Sequence, residues 1–113
     1  MKRVYEAPAP DDGLRVLVER LWPRGLSKER AAVDEWMKDI TPSPGLRRWF
    51  DHDLAKWEEF QKRYWAKLQH KNDVVEELRQ KCHAGTVTLV YAARDEQHNG
   101  ALVLKAFLKH HES

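Results

Sequence analysis

Two short runs dictate the kind of fold this chain can adopt. Thr86 to Tyr91 (Thr-Val-Thr-Leu-Val-Tyr) is dense in β-branched and aromatic residues and reads as a strand. Leu14 to Arg20 reads as a second strand, with Val16 and Val18 on one face and Leu17 on the other. A strand apolar on both faces needs cover on both sides, which parallel sheets obtain from crossover helices. The expected architecture is therefore α/β, a small, mostly parallel sheet with helices packed on both faces.

The segments between these strands fit that plan. Lys2 to Glu6 alternates enough for a short strand, and residues 7–13 (Ala-Pro-Ala-Pro-Asp-Asp-Gly) form a turn-rich loop. Ser27 to Ile40 fits two periods at once; a helical turn near Ser27 to Arg30 followed by a strand over Val33 to Asp39 satisfies both. Ser43 is the N-cap of a helix with Pro44 at its first position. Asp53 is read as the N-cap of a longer helix through about Lys71, in which Trp57, Phe60, Tyr64 and Leu68 form one buried stripe. Asn72 or Asp73 caps a further helix through about Lys81, and Gly85 stands where it ends. Asp95 is read as the N-cap of a last helix running to about His110. That helix is apolar on several sides, so it is either deeply packed or meets a second copy of the chain, making a homo-oligomer through the C-terminal helix one expectation.

Composition narrows the class. At 113 residues the chain suits one α/β domain spanning 1–113. Charged residues make up 34% but nearly cancel, to a formal +2, so charge alone announces no nucleic-acid binder. No apolar run reaches the ~18 residues of a membrane span, and the first residues lack a signal peptide's apolar stretch. A single cysteine, Cys82, can form neither an internal disulfide nor a cysteine metal cage. A reducing cytoplasm is the expected compartment.

Three clusters carry chemistry. In residues 20–25 (Arg-Leu-Trp-Pro-Arg-Gly) two guanidinium groups stand four positions apart across a proline-stiffened turn. Each offers a planar fork of donors that matches carboxylate or phosphate. Arg20 and Arg24 are thus read as an anion clamp, with Trp22 as its wall. Residues 94–99 follow the best strand, where α/β proteins bind ligands, and Arg94 and His98 are expected to line the far side. His52, between Asp51 and Asp53, is the candidate for proton transfer, because a neighbouring carboxylate favours the imidazolium. Lys38 is a further contributor from the loop before Pro42. No glycine-rich phosphate loop, nucleophile elbow or metal-ligand spacing is present, and the adjacent His110 and His111 make at most a weak chelating pair. Cofactors are therefore left open, and no complete nucleophile–base set marks the chain as an enzyme.

The run Arg15-Val-Leu-Val-Glu-Arg-Leu-Trp-Pro-Arg-Gly25 resembles the YeaO-like proteins of the bacterial group named domain of unknown function 488. So do Lys38 to Ser43, Leu46 to Asp53, Trp57 to Phe60 with Tyr64, and Val87 to Asp95. The resemblance spans nearly the whole chain. It implies a small bacterial cytoplasmic α/β protein without a settled activity. Against the family's usual motifs, Glu19 stands in place of Asp, Thr41 in place of Ala and Asp51 in place of a common Gly. Wider relatives place a cysteine-histidine-arginine element after the last strand. Here His98-Asn99-Gly100 follows, so a thiol-based mechanism does not carry over.

The functional reading is a protein that binds an anionic small molecule, with no membrane partner. The alternatives are a nucleic-acid-binding protein, drawing on five basic residues in Leu14 to Arg30 and on base-stacking tryptophan, and a metal-binding accessory protein. The interleaved acids disfavour the first.

Overall fold

The computed structural model describes residues 1–110; His111, half of the adjacent histidine pair, lies outside them. Four strands form one all-parallel sheet: β1 (Lys2–Arg3), β2 (Leu14–Leu17), β3 (Glu35–Trp36) and β4 (Val87–Tyr91), in the order β1-β4-β2-β3. The helices are α1 (Lys28–Ala31), α2 (Pro44–Phe50), α3 (Trp57–Gln69), α4 (Asn72–Ala84) and α5 (Gly100–His110).

Period-two alternation assigns the two faces. Val16, Val18, Leu89 and Tyr91 enter the main core with residues of α2, α3, α4 and α5, among them Leu46, Phe60, Leu78 and Leu104. Leu17 and Val90 point the other way, into a smaller cluster with Val4 and Ala31, flanked by Trp22, Leu26 and Trp36. The sheet is covered on both faces, but unequally: α1 and the tryptophan-bearing loop cover the second one. The strand expected over Val33 to Asp39 pairs only at Glu35–Trp36, and that over Lys2 to Glu6 only at Lys2–Arg3.

Helix starts follow local hydrogen bonding. Ser43 Oγ accepts from the Leu46 N–H at 3.2 Å, with Pro44 at the first helical position, as the sequence indicates. Asp53 caps a short 3₁₀ turn (Leu54–Lys56) that precedes α3, rather than α3 itself. At α4 neither Asn72 nor Asp73 caps: the N-cap position is Lys71, without a side-chain hydrogen bond. The last helix begins at Gly100, five residues after Asp95. Asp95 Oδ1 closes a local turn by accepting from Gln97 and His98 N–H at 2.9 and 3.1 Å. Asn99 takes the capping role, its Oδ1 accepting from the Leu102 N–H at 3.0 Å.

A buried ion pair braces the start of the sheet. Arg15 is 3% exposed; its guanidinium donates to Asp12 Oδ2 at 2.7 Å, to the Ala31 carbonyl at 2.9 Å and to the Ala32 carbonyl at 3.1 Å. It thereby serves the last carbonyls of α1. Gly13 sits at φ 66°, where a Cβ would collide with the Thr86 carbonyl, so this turn admits only glycine. Opposite, three consecutive carbonyls of residues 38–40 are held by side chains: Thr41 Oγ1 donates to Lys38 O, Lys71 Nζ to Asp39 O, and Tyr64 Oη to Ile40 O. This fastens the loop that leads into α2. No helix among the described residues is long and apolar enough to cross a membrane.

Candidate functional site

The strand order creates a crevice at a definite place. β2 leads into α1 on the face of the smaller cluster, whereas its neighbour β4 leads into α5 on the main face. Adjacent parallel strands whose continuations diverge to opposite faces leave a gap beyond their carboxyl ends, where α/β sheets bind ligands. A cleft of about 560 Å³ opens there, lined from β2 by Val18 to Leu21, from β4 by Tyr91 and Ala93, from α2 by Arg47, Arg48 and Phe50, and by the start of α5. That volume falls within the ~300–1,000 Å³ of small-molecule sites.

Glu19 holds the two strand ends together. Its Oε1 accepts from the Ala92 N–H at 2.9 Å, and its own carbonyl accepts from the Trp36 indole at 2.6 Å. The carboxylate is thus engaged across the crevice floor. Arg20, the next residue, forms no ion pair among the described residues, and its buried Nε has no hydrogen-bond partner. Buried donors are normally satisfied, so an orphaned guanidinium edge beside a cleft calls for an acceptor. Arg20 also bears on Lys71, whose pKa is lowered, first by burial and then by the Arg20 charge.

Of the residues singled out by sequence, Arg20, His52 and His98 line this one cleft. His52 is exposed on its rim, the second of two successive residues with positive φ, Asp51 at 44° and His52 at 56°. The left-handed pair ends α2 and turns the chain back toward the crevice. His98 is set by two contacts: Nδ1 lies 3.0 Å from Asp95 Oδ2, and the ring meets Trp57 edge to face with centroids 5.2 Å apart. Backbone donation from Gln97, then burial opposing it and the hydrogen bond from His98, leave the Asp95 carboxyl below its ordinary pKa. A carboxylate only accepts, so His98 Nδ1 carries the proton and Nε2 is left for another partner.

Trp22, Arg24, Lys38 and Arg94 are not brought to this cleft. Trp22 belongs to the smaller core cluster, its indole donating to the Leu26 carbonyl at 2.6 Å and meeting Trp36 edge to face. It therefore fills the second face instead of walling a pocket. Arg24, beyond Pro23, is exposed, and the Tyr5 hydroxyl donates to its carbonyl at 3.2 Å. The two arginines of the turn diverge because Trp22 anchors the turn to the second face, drawing Arg24 away from the main one. Lys38 places its ammonium 4.0 Å from the Trp36 ring centroid. Arg94 is exposed, and the Asp95 turn delivers His98 to the crevice in its place.

Arg47 and Arg48 belong to no motif in the sequence that points to the site. They line the cleft, and the available signal was their position on the short helix that ends at His52. Three guanidinium groups (Arg20, Arg47, Arg48) face two carboxylates (Glu19, Asp51) along the lining, and Glu19 is engaged. The N-terminal turn of α5 adds the positive end of a helix. Phe50, Phe60 and Tyr91 supply an apolar floor. Burial, then the charges of Glu96 and Glu6, raise the Tyr91 pKa, so its hydroxyl remains protonated at neutral pH. Among the described residues no three His, Cys, Asp or Glu side chains gather closely enough to hold a metal ion. Of the five basic residues in 14–30, Arg15 is buried and unavailable to a nucleic-acid backbone.

A family model described as the inactive DUF488-N3 subclade matches residues 1–112. The chain belongs to this DUF488-N3i family. It is 40% identical to the uncharacterised protein YeaO of Escherichia coli (strain K12) over 108 residues, covering 96% of this chain and 94% of that protein. It is 42% identical over 106 residues to the uncharacterised protein Mb3100c of Mycobacterium bovis, covering 94% and 89% respectively. No solved structure is significantly similar to it.

Proposed function

We propose that this DUF488-N3i protein binds an anionic small molecule, a phosphate or its ester or a carboxylic acid of the cytoplasm, in the cleft beyond β2 and β4. Arg20 is the observation that carries the reading: a guanidinium without an ion pair among the described residues, with an unpartnered buried Nε, on the wall of a metabolite-sized crevice. Arg47 and Arg48 extend the positive wall, His98 offers Nε2, and His52 adds a donor at the rim. The aromatic floor takes the apolar part of the ligand.

Binding without covalent turnover is the reading best supported. Among the described residues the lining offers carboxylate, imidazole and phenol groups (Glu19, Asp51, His52, His98, Tyr91) but no serine, threonine, cysteine or lysine, and Glu19 is engaged by the Ala92 N–H. The description of the matched subclade as inactive supports the same view.

The test is a thermal-shift and calorimetric screen with inorganic phosphate, a sugar phosphate, a nucleoside monophosphate and di- and tricarboxylates. A ligand at 100 times its Kd adds about 2.7 kcal/mol to stability. Loss of one charge-assisted hydrogen-bonding group weakens binding by about 10- to 100-fold, so Arg20→Ala and Arg48→Ala are expected to show that loss. Arg24→Ala, outside the cleft, is expected to bind like the unaltered protein. Equal stabilisation of all three variants, or none by any anion, overturns the proposal.

A further inference from the structure

The imidazole of His98 is held from behind. Its Nδ1 lies 3.0 Å from Asp95 Oδ2 and 3.2 Å from Asp95 Oδ1, and Trp57 meets the ring edge to face. Asp95 and Trp57 both stand outside the cleft lining, whereas His98 belongs to it. The two ring nitrogens point in nearly opposite directions, so a ring whose Nδ1 is turned away to Asp95 presents Nε2 on the cleft side. Nε2 has no hydrogen-bond partner among the described residues.

That nitrogen sets a condition on the ligand. With the proton on Nδ1, Nε2 carries a lone pair, which repels the oxygen of an anion. An anion is accepted there only with a further proton between Nε2 and that oxygen. The surrounding charges favour this proton once a ligand is present. Asp95 stands behind the ring as a carboxylate. Arg20, from the end of β2, and Arg47 and Arg48, from α2, share the cleft and oppose another cation while it is empty. A bound dianion removes that opposition. The other charged or titratable groups of the lining are occupied, neutral or at the rim. Glu19 is engaged by the Ala92 N–H, the Tyr91 hydroxyl of β4 stays protonated, and Asp51 and His52 are exposed. From α3 only Phe60, uncharged, reaches the lining.

The donors also select the shape of the anionic group. They come from three separate places: the end of β2, α2, and the turn before α5. A carboxylate has two oxygens in one plane and is filled by a single arginine fork. A phosphoryl group has three acceptor oxygens directed to different sides, and nearly two negative charges at neutral pH.

We propose that the cleft takes a phosphate monoester as its dianion, and that binding draws one proton from solvent, held between His98 Nε2 and a phosphoryl oxygen. This rests on the anion-binding reading of the same cleft and narrows it. The organic part of the ester lies against Phe50 and Phe60. No covalent bond to carbon or phosphorus changes: neutral imidazole, dianion and one proton combine into the complex.

Phenyl phosphate is the probe. Methyl phenyl phosphate, with one charge and one free oxygen fewer, and benzoate are its comparisons. Calorimetry in two buffers of different ionisation enthalpy counts the protons taken up. Between pH 8 and 9 an ordinary imidazole is mostly neutral and an ordinary phosphate monoester is a dianion. Over that interval phenyl phosphate is expected to bind with an uptake approaching one proton, its affinity falling toward about tenfold per pH unit. The ring-nitrogen resonances of His98 are expected to move from the singly to the doubly protonated form. His98→Gln is expected to bind about tenfold more weakly at pH 7 and to take up no proton. Asp95→Asn, which keeps the ring and removes the charge behind it, is expected to lower the uptake. Both comparison anions are expected to bind about tenfold or more weakly than phenyl phosphate. Binding without proton uptake, uptake that persists in His98→Gln, or uptake lost in His52→Gln instead overturns this inference and leaves the anion site standing. Benzoate binding as tightly as phenyl phosphate overturns the choice of phosphate. Absence of binding by every anion overturns both readings.

Discussion

Replacing Tyr64 with phenylalanine isolates one hydrogen bond that positions the wall of the cleft. The Tyr64 hydroxyl donates to the Ile40 carbonyl at 2.6 Å from a side chain only 2% exposed, and the loop it fastens runs directly into Pro42 and Pro44 of the cleft. The ring stays in place in Tyr64→Phe, so packing is kept and a buried carbonyl loses its donor. Such a loss costs about 1.5 kcal/mol. With an unfolding entropy of roughly 2.1 cal/mol/K per residue, this chain loses about 6 °C in Tm. The same residue adds a pH signature. Burial, reinforced by the charge of Glu19, pushes the Tyr64 pKa far above the ordinary 10.0. A raised pKa on an acid means that the folded state holds its proton while the unfolded chain releases it. The contribution is therefore complete below pH 10 and shrinks above it. At pH 11 the unaltered protein has lost about 1.4 kcal/mol through this one group, and Tyr64→Phe has lost none. The two proteins should differ by about 1.5 kcal/mol at pH 7 and be nearly equal at about pH 11. Urea unfolding followed by circular dichroism at pH 7, 9, 10 and 11 measures both ends. Tyr91, whose pKa is also raised, is common to the two proteins and cancels in the difference. Equal stability at pH 7, or a gap that stays constant to pH 11, refutes the reasoning.

Two further outcomes follow from the turns. Asp51 holds a left-handed conformation at φ 44° and ψ 44° at the end of α2, so Asp51→Gly is expected to raise stability by about 0.5–1 kcal/mol, or roughly 2–4 °C in calorimetry. An unchanged or lowered Tm counts against strain at this cap. The Ala9 N–H, then Lys2 and Arg15 against opposing burial, hold the Asp12 carboxyl down to about 2 from an ordinary 3.8. A lowered carboxyl pKa contributes stability that is complete above about pH 4 and disappears as pH falls to about 2. The difference in urea midpoint between the unaltered protein and Asp12→Asn should therefore shrink over that interval, and a constant difference would show that Asp12 is not the group responsible.

The short-range features of this fold were legible in the chain. Ser43 followed by Pro44 announces the start of α2 because a side-chain cap and a fixed φ act within one turn. The valines and leucines of 14–18 and 87–91 announce a sheet covered on both faces, and the family motifs around them identify the group. Local chemistry misled where two polar residues competed for the same role: Asp95 closes a turn, and Asn99, four positions on, caps α5. Near α3, Asp53 likewise caps the turn before the helix.

Arg15, Arg20 and Arg24 look alike in the sequence, and their fates differ completely. Arg15 is buried against Asp12 and the end of α1, Arg20 stands unpaired in the cleft, and Arg24 faces solvent. Which of them meets His52 and His98 depends on β4 inserting between β1 and β2, a pairing of Val16 with Leu89 across more than seventy residues. Capping, turns and alternation are read within a few residues because they arise from bonds between near neighbours. The gathering of a binding wall is a long-range event, set by which faces of distant strands bury together, and it exists only once the sheet has closed.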